Sequence, residues 1–341
     1  MTATCTQIRL RWCPQGAPRL DDFEIVRVDR PDPGPGEVRV ATLWLSLDPY
    51  MRGRMNDGPS YARPVALGAV MTGEVVGRVE TSRADGLREG TLVRAPSGWA
   101  THAVHPAPAV IPLAELGVPP QTHLGVLGMP GLTAYAGLLE LGWPQAGETL
   151  VVAAATAPVG LHAGQLARRW GLRAVGVAGG AEKAGRLATV FGFDAGLDHR
   201  SPSFAEDLRA ACPDGVDVYP ELVGGRVFDA VRPLVNTRAR LSVIGTVAHD
   251  NAALPAEGSQ RLPAFMREVL VKRRAVQGLI VWDYEHLRAR FHDGVAPLVR
   301  AGAIGYLEDV VDGLDAAPAA FIGLLEGRNR GKLLVRVAAD T

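Results

Sequence analysis

The chain has 341 residues, enough for two compact domains, because one hydrophobic core rarely grows beyond about 250 to 300 residues. Basic and acidic side chains balance at 36 each, so no net charge favours nucleic acid as a partner. No apolar run approaches the ~20 residues of a membrane-spanning helix, and neither a signal peptide nor a disulfide framework is evident. Composition therefore predicts a soluble, cytoplasmic protein.

The first third of the chain is predicted to be β-rich. Prolines are concentrated there, in stretches such as RPDPGPGEVRV, which suit turns and short strands better than helices. We predict strands within residues 37–47, 68–79 and 90–104, where short β-favouring runs end at glycine, proline or serine.

From about Thr122 the pattern changes to an alternation of strands and helices. ETLVVAAA and LRAVGVAG are typical of buried strands, and each precedes a helical segment that ends near Gly171 or Gly192. Such alternation predicts a parallel sheet covered by helices on both faces. The C-terminal GKLLVRVAAD returns to strand character and could pair with the first domain.

The turn after the first of these strands is a candidate nucleotide site. In a doubly wound sheet, a dinucleotide pyrophosphate lies against this turn and the following helix N-terminus. Here the turn runs from Ala155 to Gly160, and Thr156, Val159 and Gly160 are the predicted cofactor contacts. Pro158 removes one N–H that could otherwise face a phosphate. An ordinary strand-to-helix turn is the alternative.

The end of the second strand favours NADPH over NADH. NAD sites usually carry an acidic residue there, which binds the adenosine ribose. This chain instead has Gly179, Gly180 and, in the next helix, Lys183, whose ammonium group can meet a 2′-phosphate. The alternative is that Lys183 is a solvated helix residue.

No metal site or nucleophilic triad is predicted. Cys5, Cys13 and Cys212 lack the paired spacing of a zinc site, and no GxSxG segment occurs. The dispersed histidines, including those at positions 102, 105 and 162, are interpreted as surface or packing residues.

The chain resembles the zinc-independent medium-chain dehydrogenase/reductases, in the branch of leukotriene/prostaglandin and 2-alkenal (double-bond) reductases. The resemblance rests on LSLDPYMRGRM (45–55), GMPGLTAYAGLLELG (128–142), VAGGAEKAGRL (177–187), VLVKRRAVQGLIVWD (269–283) and GLDAAPAAFIGLLEGRNRGKLLVRV (313–337). It implies an α/β protein with a GroES-like β-rich catalytic domain (1–125 and 301–341) and a Rossmann domain (126–300). It also implies NADPH as cofactor and a homodimer.

The same resemblance assigns roles to individual residues. The DPYMR segment lines the active site in this branch, so Tyr50 becomes the candidate catalytic residue, with Met51, Arg52 and Met129 at the substrate. A purely packing role for Tyr50 is the alternative. The predicted cofactor contacts implied by the resemblance are Pro130, Thr133, Gly180, Lys183, Gly245 and Asn329.

Three segments depart from the branch. The nucleotide turn has lost a glycine and gained Pro158. Leu222 replaces an asparagine that relatives commonly carry, and His249 lies where many have a tyrosine near the substrate, so we include His249 as a substrate contact. His199 and Arg200 replace a common Tyr-Lys pair and are predicted to bind the adenosine end of NADPH.

These features predict an NADPH-dependent reductase of a carbon–carbon double bond conjugated to a carbonyl group. The predicted partner is a small unsaturated carbonyl compound, and the alanine- and arginine-rich composition favours one from specialised metabolism. Two alternatives stay open at this point: a quinone oxidoreductase of the same fold, and a nucleotide-binding protein without catalysis.

Overall fold

The structure is a computed structural model that describes residues 4–58, 60–249, 251 and 261–338; the side chains of His249 and Arg261 are not described. The chain divides into two compact units, Met1–Gly125 with Glu308–Thr341, and Val126–Leu307. Residues 301–307, which the sequence assigned to the first domain, lie in the second unit. There the Gln165 side chain exchanges hydrogen bonds of 2.8 Å with the backbone of Gly305.

The first unit is built mainly of antiparallel strands. Its elements, numbered along the whole chain, are β1 (Thr4–Leu10), β2 (Phe23–Asp29), β3 (Glu37–Ser46), α1 (Tyr50–Gly53), β4 (Val75–Ser82), β5 (Leu92–Ala95), β6 (His102–Pro106), β7 (Ile111–Pro112), β14 (Glu308–Asp312), α9 (Ala317–Leu325) and β15 (Lys332–Arg336).

Within the described part of this unit, β1 and β2 form a hairpin, and the other strands form one sheet in the order β14-β15-β3-β4-β5-β7, with β6 also paired to β3. The predicted return of the C-terminal strand is confirmed, because β15 pairs antiparallel with β3 and places Leu334 opposite Ser46. The strand predicted over 90–104 is two strands, because the chain turns at Gly98, where φ is +67°.

Aromatic side chains and methionines fill the core of the first unit. Trp99 stacks on Phe23 with 5.5 Å between ring centroids and meets the edge of Phe321 at 5.6 Å. Met51 in α1 and Met55 just after it have no exposed surface and belong to this core. The DPYMR segment is therefore anchored by burial on one side.

The second unit alternates strands and helices. Its elements are α2 (Met129–Ala136), β8 (Thr149–Val152), α3 (Pro158–Arg169), β9 (Arg173–Ala178), α4 (Ala181–Phe191), β10 (Ala195–Asp198), α5 (Phe204–Ala211), β11 (Val216–Glu221), α6 (Gly225–Val231), β12 (Val235–Val243), α7 (Arg261–Lys272), β13 (Ala275–Gly278) and α8 (Arg288–Arg300).

The described strands of this unit form a parallel sheet in the order β10-β9-β8-β11-β12-β13. This order, with the first strand of the unit at the centre, is that of a doubly wound Rossmann sheet. The prediction of a GroES-like β-rich domain and a Rossmann domain is confirmed. Gly171 and Gly192 follow α3 and α4 with φ of +83° and +70°, as the helix ends predicted.

Among the described residues, no helix is both long and apolar enough to cross a membrane.

Candidate active site

Tyr50 begins a single helical turn directly after β3. Pro49 precedes it at the N-cap, and the turn is closed by the Met51 N–H, which donates to the Asp48 carbonyl at 3.1 Å. A helix of four residues has too few internal hydrogen bonds to be stable alone. The position of Tyr50 is therefore set by the surrounding contacts of Asp48 and Met51.

The Tyr50 phenol is half-buried and stays protonated. Burial raises the pKa of Tyr50 well above its ordinary value, and the carboxylates of Asp48 and Glu74 raise it further. Arg54 acts in the opposite direction but more weakly. A neutral phenol can donate a hydrogen bond throughout the physiological pH range.

The structure shows where the neighbours of Tyr50 point. Met51 lies in the core, beside the side chains of Leu45 and Trp99 around Gly73, and exposes no surface. Arg52 is buried, and its guanidinium group donates to the Gly16 carbonyl at 2.7 Å and to the Asn56 side chain at 2.5 Å. In this conformation both residues hold the turn in place, and of the three only Tyr50 is more than marginally exposed.

Asn329 lies in the loop between α9 and β15 of the same unit. Its side-chain amide donates to the Gly331 carbonyl at 2.7 Å. The loop is fixed by Asp309 in β14, whose carboxylate accepts the Arg330 N–H and, at 3.0 Å, the Gly331 N–H. Asn329 is thus presented from a well-anchored loop.

The predicted nucleotide turn in the second unit leads into the N-terminus of α3. Ala157 is the N-cap and Pro158 the first helical residue, where a missing N–H removes no intrahelical hydrogen bond. The first intrahelical donor is Leu161, which bonds Ala157 at 2.9 Å. The N–H groups of Val159 and Gly160 precede it and stay available to an anion.

Gly160 lies where the helix meets the preceding turn. A Cβ at this position would lie 2.6 Å from the Ala154 carbonyl oxygen and 2.9 Å from that of Ala153. Only glycine allows this approach, which is the role of the last glycine in a dinucleotide fingerprint. Thr156, on the same turn, is largely buried.

Basic side chains gather at the N-terminus of α4. Gly180, with φ of +102°, is the N-cap, and Lys183 lies in the first turn of the helix. His199 and Arg200 extend over Gly179, since a Cβ there would lie 3.0 Å from His199 Nε2 and 3.3 Å from Arg200 Nε. These predicted cofactor residues lie at the carboxyl ends of β9 and β10, where doubly wound sheets bind ligands.

The carboxylate in this cluster is already used by the backbone. Asp198 Oδ1 accepts the Arg200 N–H at 2.9 Å and the Gly180 N–H at 2.8 Å. These two hydrogen bonds lower the pKa of Asp198, so it stays ionised and fixes the loop.

Arg226 is a basic residue that the sequence analysis did not include. It lies in the first turn of α6, and its guanidinium group donates to the Ser201 carbonyl at 3.0 Å. Burial lowers the pKa of His199, and the charges of Arg200 and Arg226 lower it further, which places Arg226 beside the same cluster. A basic residue one position after the Gly224-Gly225 pair was the available sequence signal.

The turn after β11 is held by a buried acid. Glu221 Oε1 accepts the N–H groups of Val223 and Gly224, each at 2.7 Å. Burial raises the pKa of Glu221, whereas these two hydrogen bonds act to lower it. Leu222, in the same turn, is buried.

Gly245 follows β12 and lies against the same turn. Its N–H donates to the Glu221 carbonyl at 3.1 Å, and a Cβ on Gly245 would lie 3.3 Å from the Leu222 carbonyl oxygen. The predicted substrate contact His249 has a described backbone, in a short 3-10 turn, but its side chain lies outside the described residues, as does Asp250.

The GMPG segment forms the start of α2. Thr133 donates from its hydroxyl to the Met129 carbonyl at 2.8 Å, so this side chain is satisfied within its own helix. Pro130 is buried, and Met129 is half-buried.

The described residues include no group of three or more histidine, cysteine, aspartate or glutamate side chains arranged to hold a metal ion. What they provide is a neutral phenol in the first unit and, in the second, two helix N-termini, one with four basic residues around it. The phenol can polarise a carbonyl oxygen, and the helix N-termini can bind phosphates.

Two family models match separate parts of the chain. Residues 6–113 match the family described as the N-terminal domain of oxidoreductase, and residues 158–299 match the zinc-binding dehydrogenase family. The chain is 49% identical over 328 residues to the NADPH-dependent curcumin reductase of Escherichia coli, covering 96% of this chain and 95% of that protein.

A further relative agrees in length, and a solved structure agrees in fold. A 2-alkenal reductase (NADP(+)-dependent) of Nicotiana tabacum is 37% identical, with 98% of both chains covered. The crystal structure of CurA from Vibrio vulnificus in complex with NADPH superposes with a TM-score of 0.94 at 44% identity, over 99% of this chain and all of that one.

Proposed function

The chain belongs to the zinc-independent medium-chain dehydrogenase/reductases, in the branch of prostaglandin and 2-alkenal reductases, and we propose which of its residues carry that chemistry. It is an NADPH-dependent oxidoreductase that reduces a carbon–carbon double bond conjugated to a carbonyl group. Two separate observations carry the residue assignment: a neutral, half-buried Tyr50 in the first unit, and a basic cluster at the N-terminus of α4 in the second.

The N-terminus of α3 fits the pyrophosphate of NADPH. The N–H groups of Val159 and Gly160 are the donors, and the absence of a side chain on Gly160 lets the helix lie close to the turn at Ala154. Pro158 costs the site one donor but presents the helix start in the required conformation. The altered turn is therefore compatible with cofactor binding.

The basic cluster fits the 2′-phosphate. Lys183, Arg200 and Arg226 supply the positive charge, together with the N-terminus of α4, and the His199 ring, whose pKa is lowered, adds a neutral hydrogen-bonding group. Asp198, at the end of β10, uses Oδ1 to accept the backbone N–H groups of Gly180 and Arg200, and Glu182 lies beside Lys183 in the first turn of α4. This arrangement favours NADPH over NADH.

NADPH supplies, when bound, the hydride that the β-carbon of the substrate accepts. Tyr50 donates its phenolic hydrogen bond to the substrate carbonyl oxygen and so stabilises the negative charge that develops there. The raised pKa of Tyr50 makes the phenol a persistent donor but a weak acid. We therefore assign Tyr50 the hydrogen-bonding role and solvent the proton that reaches the α-carbon.

The remaining residues keep the two sites in place. Asn329, in the anchored loop before β15, is proposed to hold the cofactor. Gly245, whose N–H donates to the Glu221 carbonyl, is proposed to border the cofactor site. Thr156, Pro130 and Thr133 are proposed to line the cofactor, and Met129 and His249 the substrate. Met51 and Arg52 are proposed to act indirectly, by holding the Tyr50 turn. Met51 packs in the core, and Arg52 donates a hydrogen bond to the Gly16 carbonyl.

A titration followed by product analysis tests this proposal. Protein fluorescence is recorded with NADPH and separately with NADH, and trans-3-penten-2-one is then reduced with the preferred cofactor. We expect clearly tighter NADPH binding and pentan-2-one as product, because the hydride goes to the β-carbon. Binding of neither nucleotide, or formation of the unsaturated alcohol, would contradict the assignment.

We further propose a homodimer formed through the β13 edge of the second unit. All four residues of β13 are exposed, and among the described strands only β12 pairs with it. Leu262, Met266 and Leu270, spaced four residues apart on α7, are 62%, 56% and 77% exposed. An unpaired edge strand beside an apolar helical stripe suits a second copy of this chain, related by a two-fold axis.

A cytoplasmic location is also proposed. The three cysteines are free, with Cys5 and Cys212 buried. Free thiols and a dependence on NADPH both suit a reducing compartment. Cell fractionation with detection of the native protein would test the location, and recovery in an oxidising compartment would contradict it.

A further inference from the structure

A buried ion pair lies directly beneath the turn that carries Tyr50. The Lys332 ammonium group donates to Asp48 Oδ1 at 2.6 Å and to the Leu47 carbonyl at 2.8 Å. The side chains of Lys332 and Asp48 are only 3% and 8% exposed. The second carboxylate oxygen of Asp48 accepts the Ser46 hydroxyl.

This pair fixes the residue from which the Tyr50 turn begins. Asp48 is held through its side chain by Lys332 and Ser46, and its carbonyl accepts the Met51 N–H that closes the turn. Lys332 itself is held in β15, which pairs with β3 through Leu334 and Ser46. Tyr50 is thus tied to the sheet by a lysine that lies 282 positions later in the sequence.

Stability alone does not account for such a pair. Two buried charges lose their hydration, and replacing them by apolar side chains of similar volume is often neutral or stabilising. What a buried, fully hydrogen-bonded pair does provide is a defined geometry, because a displaced partner leaves an uncompensated charge.

The neighbouring loop is held by a different acid. Asp309 accepts the N–H groups of Arg330 and Gly331 and so fixes the segment that carries Asn329. Gly331 and Lys332 are consecutive residues, yet the contact of Lys332 with Asp48 leads to the phenol, and the contact of Gly331 with Asp309 leads to the loop proposed to hold the cofactor. They can therefore be perturbed separately.

We propose that Lys332 is a positioning residue for the reduction step: through its ion pair with Asp48 it fixes the Tyr50 phenol at the place where the substrate carbonyl oxygen is polarised. This inference rests on the proposed role of Tyr50. It predicts that Lys332 acts on turnover only while the phenol is present, and that Asp309 acts on NADPH binding instead.

A double-mutant cycle tests the coupling. Turnover of trans-3-penten-2-one at saturating NADPH and the Kd for NADPH are measured for Lys332→Met, Tyr50→Phe and the double variant. We expect Lys332→Met to lower kcat roughly tenfold with the NADPH Kd changed less than about twofold. In the Tyr50→Phe background the same substitution should lower kcat less than about twofold.

Asp309→Ala serves as the matched control, because it removes the neighbouring anchor. It should weaken NADPH binding, and any change in kcat at saturating NADPH should be equal with and without the Tyr50 hydroxyl. If Lys332→Met does not fold, the apolar pair Lys332→Met with Asp48→Leu replaces it in the cycle, since removing both charges avoids an unpaired buried one.

Each result is decisive. An equal loss of kcat from Lys332→Met with and without the Tyr50 hydroxyl would overturn the proposal, as would a loss confined to NADPH affinity. If Tyr50→Phe alone leaves kcat unchanged while NADPH still binds tightly, the proposed role of Tyr50 fails, and the positioning role of Lys332 fails with it.

Discussion

The Cα hydrogens of Gly160 face the carbonyl oxygen of Ala154 so closely that an added Cβ would lie 2.6 Å from that oxygen. Ala154 itself has φ of +47°, a conformation that few non-glycine residues adopt. The turn between β8 and α3 is thus tightly constrained at Ala154 and at Gly160. The positions of the Val159 and Gly160 N–H groups depend on this constraint.

Gly160→Ala should therefore destabilise the fold and weaken NADPH binding together. Overpacking against backbone atoms costs about 1 to 3 kcal/mol, and the displaced helix start moves its N–H groups. Thermal unfolding and NADPH titration measure the two effects. Gly185→Ala is the control, because no atom lies within 4 Å of a Cβ there and alanine favours a helix. A loss of stability in the control, or none at Gly160, would contradict the prediction.

Arg226→Ala should weaken NADPH binding roughly tenfold and leave NADH binding unchanged, because one charged hydrogen-bond partner of the 2′-phosphate is removed. The effect should diminish at high salt. Parallel titrations with both nucleotides measure it. Arg209→Ala is the control. Arg209 lies in the last turn of α5, near Ala211, whose carbonyl accepts a hydrogen bond from Arg173 at the start of β9. An equal change for both nucleotides would assign Arg226 a role in the fold.

Tyr50→Phe should lower kcat about a hundredfold, the usual effect of losing one donor to a developing oxyanion. The NADPH Kd should stay the same, because the phenol is not part of the nucleotide site. Stopped-flow measurement of NADPH oxidation with trans-3-penten-2-one separates turnover from binding. Unchanged turnover would remove Tyr50 from the chemistry and leave it a packing residue.

His162 should make the protein less stable in acid. Its side chain is buried in α3 against Phe291, and neither ring nitrogen has a hydrogen-bond partner among the described residues. Burial lowers the pKa of His162 from 6.5 to about 4. The unfolded chain therefore binds a proton that the folded chain resists, and the free energy of unfolding falls as the pH drops below about 6.5.

The contribution of His162 between pH 8 and pH 5 should be about 2 kcal/mol. Urea denaturation at both pH values measures it, and His162→Leu should reduce the pH dependence by that amount. If the variant and the original chain lose equal stability on acidification, other groups are responsible.

Leu270→Glu should convert the proposed dimer into a monomer of 36.1 kDa. The side chain is 77% exposed in the single chain, so a charge costs little there but would be buried unpaired in a dimer. Analytical ultracentrifugation measures the mass. Val190→Glu, on the exposed side of α4, is the control and should leave the mass unchanged. A monomer before any substitution would contradict the proposed interface.

Local sequence pattern was sufficient for the two kinds of domain, the ends of α3 and α4, and the glycine at the nucleotide turn. These features depend on the spacing of apolar residues and on the backbone freedom of single residues, both of which can be read within a short segment. The Gly179-Gly180 pair at the end of β9, followed by Lys183 in α4, likewise predicted NADPH as the cofactor, although Glu182 precedes that lysine.

Only the tertiary structure showed which distant side chains meet. Spacing along a strand or helix tells which face a side chain is on, but not which residue it finds there. The sequence alone could not show that Arg226 lies beside His199, that Met51 is wholly buried, or that Lys332 binds Asp48. Those contacts depend on how the strands are ordered and paired, and the close packing of side chains then fixes each partner.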